Sequence, residues 1–289
     1  MSIFSAVDIG REGRPVTNPA RRMSSTEEAL NPERDGPPVI AIVPARLAST
    51  RLPRKMLLDL GGAPLIVRVC ENLAASRVFT KVVVAYDDEA IGDVVRGAGF
   101  EAVATSAALN SGTDRVAACA KTLEVSPDAL VVNVQGDEPF LPRETLVQVV
   151  ERLRLAGDDI VTACTDYVPP AGSVQPDVVK VVRGVDDLAL YFSRANVPAL
   201  RDAADARATD GEGSVHARHI GVYAFRADVL AMVSRLPPHR LEQFERLEQL
   251  RWLAHGLRIR AVWVPDDGAF GIDTAADLAR ATRRLSGVT

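Results

Sequence analysis

The sequence predicts an α/β fold: a mostly parallel, Rossmann-like sheet with helices on both faces and a smaller antiparallel β subdomain. Three observations carry this prediction. Between Val39 and Leu155, short β-branched runs alternate with amphipathic segments, the rhythm of parallel strands joined by crossover helices. After Gly157 the strand-like runs follow one another with few helices between them, as in antiparallel strands inserted in or appended to such a sheet. The first apolar run also stops abruptly in a turn carrying Arg46, Arg51, Arg54 and Lys55, and ligands of open α/β sheets bind beyond the carboxyl ends of strands.

Each element can be justified in order. Residues 1–37 are rich in Pro, Gly, Arg and Glu and have no apolar period, so they read as a disordered N-terminal extension ending at "DGPP". Residues 38–289 read as a single domain. "VIAIV" is a strand, "PLIVRVCENLAAS" a helix, "KVVVAY" a strand, and a helix spans about Asp88 to Ala98. "SGTDRVAACAKTL" is a helix opened by a serine, "ALVVNV" a strand, and "PRETLVQVVERLRLA" a helix with an early proline, a residue suited to a first turn. "DIVTACTDY", "VVKVVRG", "LALYFS" and "IGVYAF" are the strands of an antiparallel region over about 158–230. A helix over "LEQFERLEQLRWLAHG", a strand at "LRIRAVWV" and a last helix from about Thr274 complete the chain. The stretch from Asn196 to Arg218 has no apolar period and is long for a loop, which marks it as a lid or a disordered segment.

Composition narrows the function classes. The 289 residues, 47% of them hydrophobic, suffice for one large α/β domain or two small ones. A formal net charge of −4 argues against nucleic acid as a partner. Cys70, Cys119 and Cys164 are scattered, with no C-x-x-C or Cys/His cluster, which argues against zinc and for reduced, buried thiols in a cytoplasmic protein. No apolar run approaches the ~20 residues of a membrane span. The start, "MSIFSAVDIGREGR", lacks the basic-then-apolar order of a signal peptide.

Cations crowded at a strand end need an anion. The loop "PARLASTRLPRK" is neither G-x-x-x-x-G-K nor G-x-G-x-x-G, but its backbone N–H groups and side chains suit a nucleoside triphosphate. "NVQGDEP" places Asp137 just past one strand, and "GIDT" places Asp273 after another. Two carboxylates in one crevice repel unless a cation lies between them, and Mg²⁺ takes a few carboxylates together with phosphate oxygens. Taken alone, Asp273 also reads as a cap for the following helix. Glu138 points away from Asp137 in an extended segment and reads as structural. Ser111, Gly112 and Thr113 lie at a helix start, where unpaired N–H groups can meet a base edge.

The opening loop resembles the signature loop of the 3-deoxy-manno-octulosonate (Kdo) cytidylyltransferases, the CMP-Kdo synthetases. Seven further stretches match that family in order: "NSGTDR", "VVNVQGDEP", "VVKVV", "LYFSRANVP", "RHIGVYAF", "LEQLR" and "GIDT". The resemblance implies a nucleotidyltransferase that moves CMP from CTP to the anomeric hydroxyl of Kdo and releases pyrophosphate, for lipopolysaccharide or capsule biosynthesis. It implies Mg²⁺ held by Asp137 and Asp273, catalytic roles for Arg46, Lys55, Asp137 and Asp273, and CTP contacts from Pro44, Ala45, Arg46, Arg51, Lys55, Ser111, Gly112 and Thr113. The implied sugar-binding residues are Gln135, Arg194, Arg201, His219, Tyr223, Glu248 and Gln249. The family also implies a cytoplasmic homodimer with no membrane insertion and no nucleic-acid partner. Leu109 stands where the family usually has histidine, and Ala199-Leu200 where it often has tryptophan. Rival readings are a cytidylyltransferase for 8-amino-Kdo or sialic acid, a sugar-1-phosphate nucleotidyltransferase, and a nucleotide-binding relative without catalysis.

Overall fold

The computed structural model describes residues 36–155, 157–170, 173–201, 214–266 and 268–287. Most of the expected N-terminal extension, residues 1–35, and most of the expected lid, residues 202–213, lie outside the described residues. The chain runs β1 Val39–Ala45, α1 Leu65–Ser76, β2 Lys81–Tyr86, α2 Glu89–Gly97, β3 Glu101–Ala104, α3 Gly112–Thr122, β4 Leu130–Val134 and α4 Arg143–Arg154. It continues with β5 Ile160–Asp166, β6 Lys180–Arg183, β7 Ala189–Ser193, β8 Ala217–Arg226, α5 Ala227–Val233, α6 Arg240–Glu245, α7 Gln249–Ala254, β9 Ile259–Trp263 and α8 Ala275–Ser286.

The nine strands of the described residues join one sheet, ordered β3-β2-β1-β4-β8-β5-β9, with β6 paired to β8 and β7 paired to β6. β1 pairs parallel with β2 and β4, β2 with β3, and β5 with β9. β8 runs antiparallel between β4 and β5, and the antiparallel β6–β7 hairpin pairs with the start of β8 on the same side as β4. The strands after Gly157 therefore extend the parallel sheet, and β5 and β9 restore its direction beyond β8.

Strand alternation sorts the side chains into two cores. Val39, Ala41 and Val43 of β1, Val132 and Val134 of β4, and Val222 and Ala224 of β8 pack with α1, α2 and α4 on one face. Ile42, Val131, Tyr223 and Phe225 point the other way and pack with Val116 and Cys119 of α3, Leu230 of α5, and Leu250 and Trp252 of α7. The three cysteines are free and buried, and burial pushes each thiol up to about 12.

Two elements, β3 and α5, escaped the sequence reading. β3 is four residues long and none of them is fully buried, so it carries no apolar run. The expected helix over "LEQFERLEQLRWLAHG" is a correction: it is two helices, α6 and α7, broken at Arg246, whose backbone is left-handed (φ 52°, ψ 48°). The break has partners. The Arg194 guanidinium takes the carbonyls of Glu245 and Arg246, and Leu247 turns into the second core at 5% exposure.

Candidate active site

The carboxyl ends of β1 and β4, with the segment after β9, meet at one corner. Lys55 reaches it from a single 3₁₀ turn, Lys55–Leu57, and is only 7% exposed. Its Nζ donates to Asp137 Oδ2 at 2.7 Å and to Asp273 Oδ1 at 2.9 Å. Burial opposes the lysine's charge, but the attraction and hydrogen bonds of the two carboxylates outweigh it and raise its pKa above the ordinary value. Arg51 pairs with Asp273 Oδ2 at 3.1 Å and with Asp177 at 2.8 Å. The corner is thus a pair of acids converging on one cationic point, where the sequence required a cation.

Close backbone approach makes the corner. A side chain on Gly136 would lie 3.0 Å from Met56 Sδ and 3.1 Å from the Pro44 carbonyl, so only glycine lets the β4 end pass under the β1 loop. Leu47 N–H donates to Asp87 Oδ1 at 2.9 Å, which anchors the loop. Arg46 extends from Ala45 to donate to the Leu109 carbonyl at 2.7 Å, linking the loop to the start of α3. Arg54, also left-handed, is exposed. Asp273 does not cap α8. Thr274 does, accepting from Asp277 N–H while the Asp277 carboxylate accepts from Thr274 N–H. The Asp273 carboxylate is therefore left to the crevice.

The start of α3 forms the adjoining wall. Ser111 caps it by accepting from Asp114 N–H at 3.0 Å. Glu248 accepts from the Thr113 hydroxyl at 2.8 Å and from Thr113 N–H at 3.4 Å. Asn133 donates to the same hydroxyl at 3.1 Å, and Gln135 donates to Asn133 at 3.2 Å. A carboxylate on a helix N-terminus is favourably placed, yet burial still raises the pKa of Glu248.

Beside this wall lies a cavity of about 490 Å³ whose lining includes Gln135, Arg194, His219, Tyr223, Glu248 and Gln249, with Ser111 and Gly112 at one edge. Six of the seven sequence-predicted sugar-binding residues thus come together. Arg201 does not line the cavity and is exposed. His219, Gly221 and Tyr223 share the lining face of β8, as strand alternation requires. A bulge against β5 falls at this point, with Tyr223 opposite Thr162 and Ile220 opposite Ala163; bulges commonly re-aim side chains beside active sites. Burial, aided by Arg218, pushes His219 down to about 3, so the ring is neutral and lies 2.9 Å from the Thr162 hydroxyl. The Tyr223 hydroxyl is buried with no partner among the described residues. Its ring is fixed edge-on against Trp252, centroids 5.1 Å apart.

Two lining residues were missed by sequence reasoning. Arg246 and Glu242 also line the cavity; the break between α6 and α7 brings them there, and no periodicity marks it. Glu138, read as structural, has a carboxyl that would lie 3.2 Å from a side chain on Gly271 and 3.7 Å from one on Gly221. Burial, then Asp137, raises its pKa to about 8. For a metal, Asp137 and Asp273 fit a divalent ion because they already converge on one charged atom. Among the described residues no group of three or more His, Cys, Asp or Glu could hold a metal, so substrate oxygens and water would complete the shell.

Comparison with known proteins agrees with this geometry. Residues 40–259 match the cytidylyltransferase family model. The 3-deoxy-manno-octulosonate cytidylyltransferase of Methylococcus capsulatus is 46% identical over 250 residues, covering 86% of this chain and 97% of the relative. That of Polynucleobacter necessarius is 40% identical over 258 residues, covering 89% and 99%. A solved CMP:2-keto-3-deoxy-manno-octonic acid synthetase complexed with CTP superposes with a TM-score of 0.77 at 33% identity, covering 87% of this chain and 100% of that one. The 4-diphosphocytidyl-2C-methyl-D-erythritol synthase of Anaerococcus prevotii, at 12% identity and a TM-score of 0.54, shares the fold alone. The chain belongs to the 3-deoxy-manno-octulosonate cytidylyltransferase family.

Proposed function

We propose that this protein transfers CMP from CTP to the anomeric hydroxyl of Kdo, forming CMP-Kdo and pyrophosphate. The observation that carries the reading is the adjacency of two features: the Asp137–Lys55–Asp273 corner and a polar cavity that gathers six of the residues expected to bind an acidic sugar. In the reaction the anomeric oxygen forms a bond to the α-phosphorus of CTP, the bond from that phosphorus to pyrophosphate breaks, and the hydroxyl proton is released.

The chain's own residues supply orientation and charge. Lys55, Arg46 and Arg51 offset the negative charge that grows on the leaving pyrophosphate. Pro44 and Ala45 form the turn that carries them, and Ser111, Gly112 and Thr113 meet the base. Asp137 and Asp273 would hold Mg²⁺, which would supply Lewis-acid chemistry when bound. His219, neutral and with a pKa pushed to about 3, is a poor proton acceptor and serves as a hydrogen-bonding group. Tyr223 offers its unpaired hydroxyl to the sugar, and Gln135 and Gln249 line the same wall.

The wider setting follows from the same reading. The product would serve lipopolysaccharide or capsule assembly, and the protein works as a cytoplasmic homodimer in which residues 38–289 form one domain. No helix among the described residues is long and apolar enough to cross a membrane. Pyrophosphate release measured with CTP and Mg²⁺, with Kdo, 8-amino-Kdo and sialic acid in parallel, tests the proposal. Turnover with Kdo well above the other two is expected. Preference for 8-amino-Kdo would keep the mechanism and change the substrate, and equal rates with sialic acid would overturn the assignment.

A further inference from the structure

Asp137 and Asp273 come from separate loops, and two like charges push those loops apart unless something ties them together. The backbone supplies one tie: Ile272 N–H donates to the Asp137 carbonyl at 2.9 Å. Side chains supply another. Three residues after Asp137 and three before Asp273, the Phe140 and Phe270 rings meet with centroids 5.5 Å apart. Both phenylalanines are partly buried and pack against the first core.

Helix α8 covers this ring pair. The Arg280 guanidinium lies 3.8 Å from the centroid of Phe270, and that of Arg284 lies 4.6 Å from the centroid of Phe140. Residues four apart share one helix face, so the two arginines match the two rings. A cation over a ring face is attracted by the ring's quadrupole, and a planar guanidinium can stack there as an ammonium cannot. Arg284 also donates to the Gly268 carbonyl at 2.7 Å, on the segment that leads to Asp273. Among the described residues of α8 only Ala281 is fully buried. The helix therefore adds little to the core, and its side toward the corner is built from the two stacked arginines.

Resting on the reading that Asp137 and Asp273 hold a divalent ion, we infer that Arg280 and Arg284 are positioning residues for that ion. They clamp the two loops together through the Phe140–Phe270 pair and so fix the spacing of the two carboxylates. The carboxylates' own partners are Lys55 and Arg51, so the α8 arginines act through the rings.

The test reads metal binding without turnover. CTP is titrated calorimetrically into the protein with no sugar present, once with Mg²⁺ and once with EDTA. The ratio of the two affinities is the metal-dependent gain. Arg280→Gln combined with Arg284→Gln should reduce this gain about tenfold, the lower end of what outer groups that orient metal ligands contribute. CTP affinity in EDTA should not change. In a background of Phe140→Leu with Phe270→Leu, the same arginine changes should have no further effect on the gain, because the clamp is already gone. An equal loss of affinity with and without Mg²⁺ would make α8 a general support of the fold and overturn the inference. Asp273→Asn separates the clamp from the reading beneath it, and it should abolish the gain. A gain that survives Asp273→Asn overturns the metal site and the clamp together. A gain that is lost in Asp273→Asn but intact in the arginine variant overturns the clamp alone.

Discussion

The two ends of the crevice are charged by opposite strategies. At the catalytic corner every charge is answered from within the chain: Asp137 and Asp273 share Lys55, and Asp273 also holds Arg51. In the neighbouring cavity, among the described residues, the Tyr223 hydroxyl is buried without a partner, His219 is neutral, and the Arg246 side chain makes no hydrogen bond or ion pair. Under the proposed reaction, the corner would take ligands that carry their own counter-charges, a metal ion and a triphosphate. The cavity is prepared for a ligand read group by group, and its unpaired atoms are the cost of that selectivity in the empty protein.

The sharpest way to break this comparison lies at the corner. Asp273→Asn should lower turnover by at least ~100-fold, the loss expected when a group that holds catalytic charge is removed. The fold should survive, because the α8 cap belongs to Thr274 and not to Asp273. Initial rates and thermal melting on the same sample decide it. A variant with near-normal rates would show that the corner is a structural ion network.

The second prediction concerns the cavity. Tyr223→Phe deletes a hydroxyl that has no partner in the described structure, so the melting temperature should hold or rise. KM for Kdo should rise about 10-fold, the value of a typical hydrogen bond to a ligand, and KM for CTP should stay fixed. Wild-type discrimination against sialic acid should reach ~10⁴-fold or more, and the variant should narrow it. A drop in stability with unchanged sugar kinetics would mean that the hydroxyl serves packing.

The same contrast explains what the sequence made legible. The corner could be read because strand ends can be located from short apolar runs: Asp137 closely follows β4, and Lys55 and Asp273 lie in the segments that leave β1 and β9. The face of β8 could be read because alternation puts 219, 221 and 223 together. The corner's internal pairing could not, because Lys55 and Asp273 are 218 positions apart and nothing local specifies that contact. Arg246 was hidden for a different reason. The α6–α7 segment has helical periodicity throughout, and tertiary hydrogen bonds from Arg194 break it. β3 was hidden because an exposed edge strand carries little apolar signal.

Asp273 and Thr274 are neighbours with different tasks, which allows a finer test. Thr274→Ala removes a cap whose hydroxyl accepts from Asp277 N–H at 3.2 Å. It should cost about 1 kcal/mol of stability and leave turnover within about twofold at a temperature where the protein stays folded. Denaturant melts beside rate measurements would show it. A Thr274→Ala rate loss as large as that of Asp273→Asn would mean that the start of α8, and not one carboxylate, sets the geometry of the corner.

The smallest effect is expected from the far end of the chain. β1 is central in the sheet, hydrogen-bonded to β2 and β4 on its two sides, and Val39 is 0% exposed. Its first contacts are already complete at Pro38 and Val39, whose carbonyls accept from Leu130 N–H at 2.9 Å and from Thr80 N–H at 2.8 Å. Among the described residues, neither the corner nor the cavity draws on a residue before Pro44. Removing residues 1–36, so that the chain starts at Pro37, should therefore leave the melting temperature and both KM values within experimental error. A fall in kcat with the melting temperature unchanged would place those residues at the active site. A concentration-dependent loss of activity would place them between protomers of the proposed dimer.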